Sequence, residues 1–123
     1  MRVKDAVGRY GEDVAAEYLE RAGLRILQRN WRCREGELDI VARDGDELVF
    51  VEVKTRSSPA FGTPAQAVNR AKTARIRRLA VRYLLAKRAE GLADSWTAMR
   101  FDVVAVVRTT PSGPEVVHLK GVF

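Results

Sequence analysis

Two acidic residues and a lysine on neighbouring predicted strands have the types and spacing needed for phosphate-ester hydrolysis. Glu52 and Lys54 lie two residues apart on one face of a largely apolar strand, and Asp39 lies on the preceding strand. A tight hairpin sets these strands side by side, so the two carboxylates can converge at one end of the sheet. A divalent cation relieves the repulsion between such carboxylates, and their oxygens suit Mg²⁺ or Mn²⁺ rather than zinc.

Lys54 adds a positive charge to this group. An ammonium held next to a metal can orient an attacking water and oppose the charge that develops on a phosphate. The alternative is an internal salt bridge of Lys54 with Glu52 or with Asp39, because charges on a buried strand are costly unless they are paired. The convergence of several such groups on a central strand favours a functional site over a structural pair.

The elements that carry these residues are predicted to be a helix, three strands, a helix and two strands. Asp5 caps the first helix and Gly23 stops it, while the long second helix begins near Pro64, after the cap Thr63, and ends at Gly91. The third strand, the long helix and the fourth strand form a right-handed crossover, so part of the sheet is predicted to be parallel. The strands are expected at residues 24–28 with an extension toward 31, 37–43, 47–55, 101–107 and 115–119.

Side-chain spacing gives three further expectations about packing. Gly8 and Gly11 lie on the apolar stripe of the first helix, where the loss of helix propensity is best explained by close contact with the sheet. Glu12 falls at the edge of that buried face. On the second strand, Leu38 is predicted to share a face with Ile40, opposite the acidic residues.

The positive charge is concentrated on the second helix. The chain carries a net charge of +6, and residues 70–90 hold eight basic side chains and one acid, a local charge of +7. A localised basic segment favours a polyanion docked on one face, although a solvated helix face is the alternative. The best candidates for contact with phosphates are Arg56, Lys72, Arg75, Arg78 and Arg82.

Length and composition exclude several classes of protein. The 123 residues, 46% of them hydrophobic, suit one domain spanning residues 1–123 and can bury a stable core. The longest apolar run, 103–107, is far shorter than the roughly 20 residues of a membrane helix. The single Cys33 excludes an internal disulfide, and the single His118, expected to be a surface or half-buried residue, excludes a histidine-rich metal cluster. These features predict a cytoplasmic protein that does not insert into membranes.

Two segments, 36–42 and 49–56, together with Glu12, resemble the PD-(D/E)XK nuclease superfamily. Within it, residues 7–90 are similar to the small bacterial YraN family, which is related to archaeal Holliday junction resolvases. The resemblance implies an α/β fold with a restriction-endonuclease-like αβββαβ core, whose mixed central sheet is flanked by helices. Leu38 stands where the superfamily name has proline, at a position that varies widely.

The resemblance also implies roles for individual residues. Asp39 and Glu52 would be metal ligands with the carbonyl of Val53, and Lys54 would be the catalytic lysine. Glu12 matches a helical glutamate that joins the metal site through water in related nucleases. Gln66 is similar to a helix-borne glutamine beside the metal, although its place in a capping box explains it equally well.

The activity implied is that of a Mg²⁺- or Mn²⁺-dependent endonuclease acting on structured or branched DNA, such as junctions and flaps. Symmetric junction cleavage would require a homodimer, since one small chain holds one site. Two alternatives stay open. One is a non-catalytic nucleic-acid-binding or partner-recruiting module that keeps the fold, and the other is a ribonuclease using the same residues.

Overall fold

The computed structural model describes residues 3–56, 69–91, 96–108 and 111–122. No helix within these ranges is long and apolar enough to cross a membrane. The elements, in chain order, are α1 (Val3–Arg21), β1 (Arg25–Cys33), β2 (Gly36–Asp44), β3 (Glu47–Arg56), α2 (Arg70–Ala89), β4 (Ala98–Val107) and β5 (Glu115–Leu119). This order confirms the predicted α/β class and the predicted sequence of elements.

The described strands form one mixed sheet in the order β1-β2-β3-β4-β5. Its neighbours pair antiparallel except β3 and β4, which are parallel along the whole length of both strands. The predicted parallel pairing of the third and fourth strands and the central position of β3 are therefore confirmed. A two-residue turn joins β2 to β3, closed by the pair Asp44 and Glu47, and Gly45 adopts a φ of 59° there.

Two apolar clusters pack against the two helices, and successive residues of β3 alternate between them. Val49 and Val51 pack with α1, whereas Leu48 and Phe50 pack with α2. All four side chains are buried, so β3 is covered on both faces. Any charged side chain that follows on this strand is held by a rigid, well-packed support.

Close packing of α1 against β3 depends on Gly11. A Cβ atom at this position would overlap Thr55 Oγ1 and lie 2.8 Å from Thr55 Cβ, which confirms the expected close approach. The same expectation was wrong for Gly8 within the described ranges, where an added Cβ would meet no atom within 4 Å. Asp5 is not the helix cap, because α1 begins at Val3, but Gly23 ends the helix as predicted, with a φ of 97°.

The start of α2 differs from the prediction. Asn69 has an extended backbone (φ −153°), and its Oδ1 accepts a hydrogen bond from the backbone N–H of Lys72 at 2.9 Å. A continuous helix from Pro64 is therefore wrong: the helix begins at Arg70, because Asn69 is its cap. The predicted signals at Thr63 and Gln66 lie outside the described residues. The end is as predicted, since Gly91 has a φ of 74°.

The regular alternation of side chains fails near the start of β2. Leu38 packs in the cluster with α2, whereas Ile40 packs in the cluster with α1, so the two do not share a face as expected. The break coincides with the last paired residues of β2 and β3, Ile40 and Val51. Beyond this point the backbones of the two strands no longer pair. Asp39 lies between the two residues whose side chains diverge.

Candidate active site

The carboxylate of Asp39 lies where the pairing of β2 and β3 ends. Its Oδ2 accepts a hydrogen bond from the backbone N–H of Val53 at 2.9 Å, in a region where β2 supplies no backbone partner. The Asp39 side chain thus accepts the hydrogen bond of a strand N–H, that of Val53, which would otherwise need a backbone carbonyl of a neighbouring strand. This bond fixes Asp39 beside the end of β3 that carries Glu52 and Lys54.

Glu52 is buried, with 7% of its surface exposed, and its two carboxylate oxygens have different surroundings. Oε1 lies 2.9 Å from Arg75 Nη2 and 3.4 Å from Lys54 Nζ. Oε2 is also buried, and no hydrogen-bond partner for it occurs in the described part of the chain. A buried charged oxygen without a partner is costly, and such groups are common where a ligand binds.

Asp39, Glu52 and Lys54 line one cleft of about 620 Å³ at this end of the sheet. The predicted convergence of these three side chains is therefore confirmed. Arg75 from α2 lies on the cleft wall, together with apolar side chains of the α2 cluster. The complete lining is Glu37, Leu38, Asp39, Val51, Glu52, Val53, Lys54, Arg75, Ile76 and Leu79.

Burial and mutual repulsion raise the pKa values of two acidic residues. Burial raises the pKa of Asp39 to about 6, helped by the charges of Glu52 and Glu37 and opposed by the Val53 hydrogen bond. The pKa of Glu12 rises to about 7, first through burial and then through the charge of Asp39. Glu12 therefore interacts electrostatically with the site from α1. Its Oε1 is buried, and the nearest cation, Arg29 Nη2, is 4.0 Å away.

The donor set suits a hard cation that keeps some of its water. No group of three or more His, Cys, Asp or Glu side chains in the described ranges could hold a metal ion by itself. The carboxylates of Asp39 and Glu52 line the cleft together with that of Glu37, which is paired with Arg32, and Glu52 Oε2 has no hydrogen-bond partner among the described residues. Mg²⁺ is commonly bound by one or two carboxylates, with waters and substrate phosphates completing its shell. The residues present therefore fit Mg²⁺, and Mn²⁺ as its close substitute.

A group of cations adjoins these acids. Lys72 from α2 has a lowered pKa, first because it is partly buried and then because the Lys54 ammonium lies close to it, with Arg56 adding its charge. Such crowding of like charges is expected where an anion binds. Of the other predicted phosphate contacts, Arg75 is paired with Glu52 and Arg78 is exposed. Arg82 Nε is 3.5 Å from Glu35 Oε2.

A buried polar network centred on Asp102 was not predicted. Asp102 is fully buried and accepts hydrogen bonds from Arg100, from the backbone N–H of Gly121, and from His118 Nε2 at 2.7 Å. His118 is half-buried, within the range expected, but its side chain is only 3% exposed. The sequence did contain a signal of this network, because Asp102 directly precedes the apolar run 103–107 and an acid on a buried strand needs partners. The network ties β4 to β5 and lies outside the cleft.

Comparisons with known proteins place the chain in a family. Residues 11–106 match the model of the uncharacterised protein family UPF0102. A UPF0102 protein of Beutenbergia cavernae is 59% identical over 122 residues, covering 99% of both chains. UPF0102 proteins of Frankia casuarinae and Frankia alni are 54% and 57% identical, covering all of this chain and 100% and 98% of their own. By both measures, the chain belongs to the family UPF0102.

Proposed function

We propose that the protein is a metal-dependent endonuclease that hydrolyses phosphodiester bonds in structured or branched DNA, with a site of the PD-(D/E)XK type. The observation that carries the proposal is the buried Oε2 of Glu52, which has no hydrogen-bond partner among the described residues, in the cleft that Asp39 and Lys54 also line. An internal salt bridge accounts for Oε1 of Glu52 but gives no reason to bury Oε2. The αβββαβ order of the elements supports the same proposal.

In this proposal each side chain has a separate task. Asp39 and Glu52 hold the divalent cation, which when bound polarises the phosphate and lowers the pKa of a bound water. Lys54, a cation beside Glu52 in the cleft, orients the attacking water and opposes negative charge on the phosphate. Glu12, with a pKa of about 7, can exchange a proton near neutral pH.

The basic face of α2 would hold the DNA backbone. Arg78 and Arg82 are exposed on this helix, and Lys72 lies nearer the cleft. Contacts of this kind bind phosphates and do not read the base sequence. The affinity for DNA should therefore fall steeply as the salt concentration is raised. Because one chain offers one such cleft, paired cuts in a four-way junction would need a homodimer.

The test is cleavage of labelled duplex, single-stranded, flap and four-way-junction DNA with Mg²⁺ or Mn²⁺. Wild type should cut at least one of these substrates. Glu52→Gln, which keeps the size of the side chain, and Lys54→Met should each lose turnover while still binding the DNA. Arg78→Gln is the matched control, since it removes a charge from α2 outside the cleft: it should weaken the binding of DNA but keep the turnover of DNA that is bound. Absence of cleavage by wild type on every substrate would refute the proposal.

A non-catalytic nucleic-acid-binding module is the second candidate, and the two cations on Glu52 Oε1 favour it. Lys54 and Arg75 already neutralise that carboxylate, as they would in a purely structural ion-pair group. If the protein is such a binding module, none of the substitutions should change the cleavage of DNA. Lys54→Met should then also bind DNA with the affinity of wild type. The ribonuclease alternative is separated by including RNA versions of the same substrates.

A further inference from the structure

Arg75 occupies the carboxylate that the proposed metal site needs. Its Nη2 lies 2.9 Å from Glu52 Oε1, and Lys54 Nζ lies 3.4 Å from the same oxygen. The single negative charge of Glu52 is therefore shared between two cations. A divalent cation binding at Glu52 would bring two further positive charges next to them, and at such distances in a partly buried cleft the repulsion is substantial.

Arg75 is the cation that can leave. Its side chain is 49% exposed, whereas that of Lys54 is 25% exposed. Arg75 also reaches Glu52 from the exposed basic face of α2, one helical turn from Arg78. A long arginine side chain there can turn outward to a phosphate without any movement of the backbone, and a guanidinium binds phosphate as well as it binds carboxylate.

We propose that Arg75 is an exchangeable occupant of the metal site. In the protein without DNA, Arg75 pairs with Glu52 and opposes the binding of a divalent cation. A phosphodiester of the bound nucleic acid draws Arg75 away and thereby makes room, in charge and in space, for the cation. The inference rests on the proposed function, since it concerns how the same cleft acquires its metal.

The exchange makes metal and nucleic acid bind cooperatively. If a phosphate removes Arg75 from Glu52, then bound DNA raises the affinity for the cation, and the bound cation raises the affinity for DNA by the same factor. Without DNA, the cation has to displace Arg75 unaided. The site would therefore stay poor in metal until a nucleic acid binds.

The first experiment measures Mn²⁺ binding to the full chain, without DNA, by electron paramagnetic resonance. The proteins are wild type, Arg75→Gln, and Arg78→Gln as the matched loss of one charge from the same helix. Arg75→Gln should bind Mn²⁺ about tenfold more tightly than wild type, the value of one charge-assisted hydrogen bond. Arg78→Gln should change the affinity for Mn²⁺ by less than about threefold, because the charge of Arg78 repels the cation only at longer range.

The second experiment measures binding of a labelled four-way junction by fluorescence anisotropy, with and without Ca²⁺ in place of Mg²⁺. Ca²⁺ should raise the affinity of wild type and of Arg78→Gln by similar factors, and that of Arg75→Gln by a factor at least threefold smaller. Arg75→Lys, which keeps the positive charge, should lie between wild type and Arg75→Gln in Mn²⁺ affinity. Circular dichroism of each variant confirms the fold before either measurement.

The possible failures are distinct. Equal Mn²⁺ affinity in Arg75→Gln and Arg78→Gln would overturn the exchange and leave the metal site standing. Absence of Mn²⁺ binding in wild type and in every variant would overturn the exchange together with the proposed metal-dependent function. Glu52→Gln provides the reference for the second case, because it removes the carboxylate for which Arg75 and the cation would compete.

Discussion

Replacing Gly11 by alanine should separate α1 from β3 and weaken the fold. A Cβ at Gly11 would overlap Thr55 Oγ1 and lie 2.8 Å from Thr55 Cβ, far inside the usual separation of two carbon atoms. Thr55 is β-branched and belongs to a central strand, so neither its side chain nor its backbone can yield cheaply. The helix must therefore move. Gly8, three residues earlier on the same helix, serves as the matched control, because a Cβ there would meet no described residue within 4 Å.

Two effects of known size set the expected difference. Alanine is better than glycine inside a helix by about 1 kcal/mol, and this gain applies at both positions. Overpacking against a rigid neighbour costs about 1–3 kcal/mol, or more for a direct overlap, and applies only at Gly11. The free energy of unfolding should therefore rise by up to about 1 kcal/mol in Gly8→Ala. At Gly11 the same gain offsets part of the overpacking cost, so Gly11→Ala should lower the free energy of unfolding by up to about 2 kcal/mol and lie about 1–3 kcal/mol below Gly8→Ala.

Urea denaturation followed by circular dichroism measures both free energies of unfolding. The displacement should also reach the cleft, because Gly11 precedes Glu12 in α1 and Thr55 follows Lys54 in β3. Moving α1 outward would lower the pKa of Glu12 from about 7 toward its ordinary value, which nuclear magnetic resonance can follow. If Gly11→Ala is as stable as Gly8→Ala, the helix does not rest on Thr55 and the reasoning is refuted.

Two further predictions concern the buried acids. Because the folded pKa of Glu12 is raised from 4.5 to about 7, the unfolded chain releases this proton first, so Glu12 lowers stability as pH rises through that window. Glu12→Gln should remove this contribution to the pH dependence and raise the free energy of unfolding by up to roughly 3 kcal/mol above pH 7. Urea denaturation from pH 4.5 to 8 measures this, and an unchanged pH dependence in the variant would contradict the prediction. Burial would raise the pKa of Asp102, but the hydrogen bonds from His118, Arg100 and Gly121 outweigh it and keep the pKa below its ordinary value. Asp102→Ala should therefore cost about 3–5 kcal/mol by leaving buried partners unpaired, with Asp102→Asn costing less. Equal stability of wild type and Asp102→Ala at pH 7 would show that the network contributes nothing to the fold.

The parts of the fold and the site that sequence predicted are those fixed by short-range rules. A turn at Gly45 between two alternating strands determines the β2–β3 hairpin and its register. That register places Asp39 and Glu52 at the same end of the sheet, whatever the rest of the chain does. The end of α2 at Gly91 was equally local, because glycine adopts the φ of 74° found there without steric cost.

The features that sequence did not predict depend on where two strands part or on contacts between distant elements. Strict alternation along β2 assumes continuous pairing, and it fails at Leu38 because the β2–β3 ladder ends at Ile40. A helical wheel places Arg75 on an exposed basic face but does not show which arginine reaches across to Glu52, 23 residues away. The pairing of Asp102 with His118 likewise depends on the register between β4 and β5.

The parallel pairing of β3 with β4 has a consequence for the rate of folding. The antiparallel hairpin of β2 and β3 closes over a two-residue turn, whereas each residue of β3 meets a β4 partner about 50 positions later in the chain. Hairpins form within about 1–10 μs, but a crossover must first close a long loop and pack its helix. We expect the β2–β3 hairpin, which carries Asp39 and Glu52, to form early. The helix α2, which carries Arg75, is expected to pack against the sheet later. During part of the folding reaction, the carboxylates of Asp39 and Glu52 would therefore lie close together before Arg75 can pair with Glu52. A divalent cation bound between them at that stage would stabilise the β2–β3 hairpin.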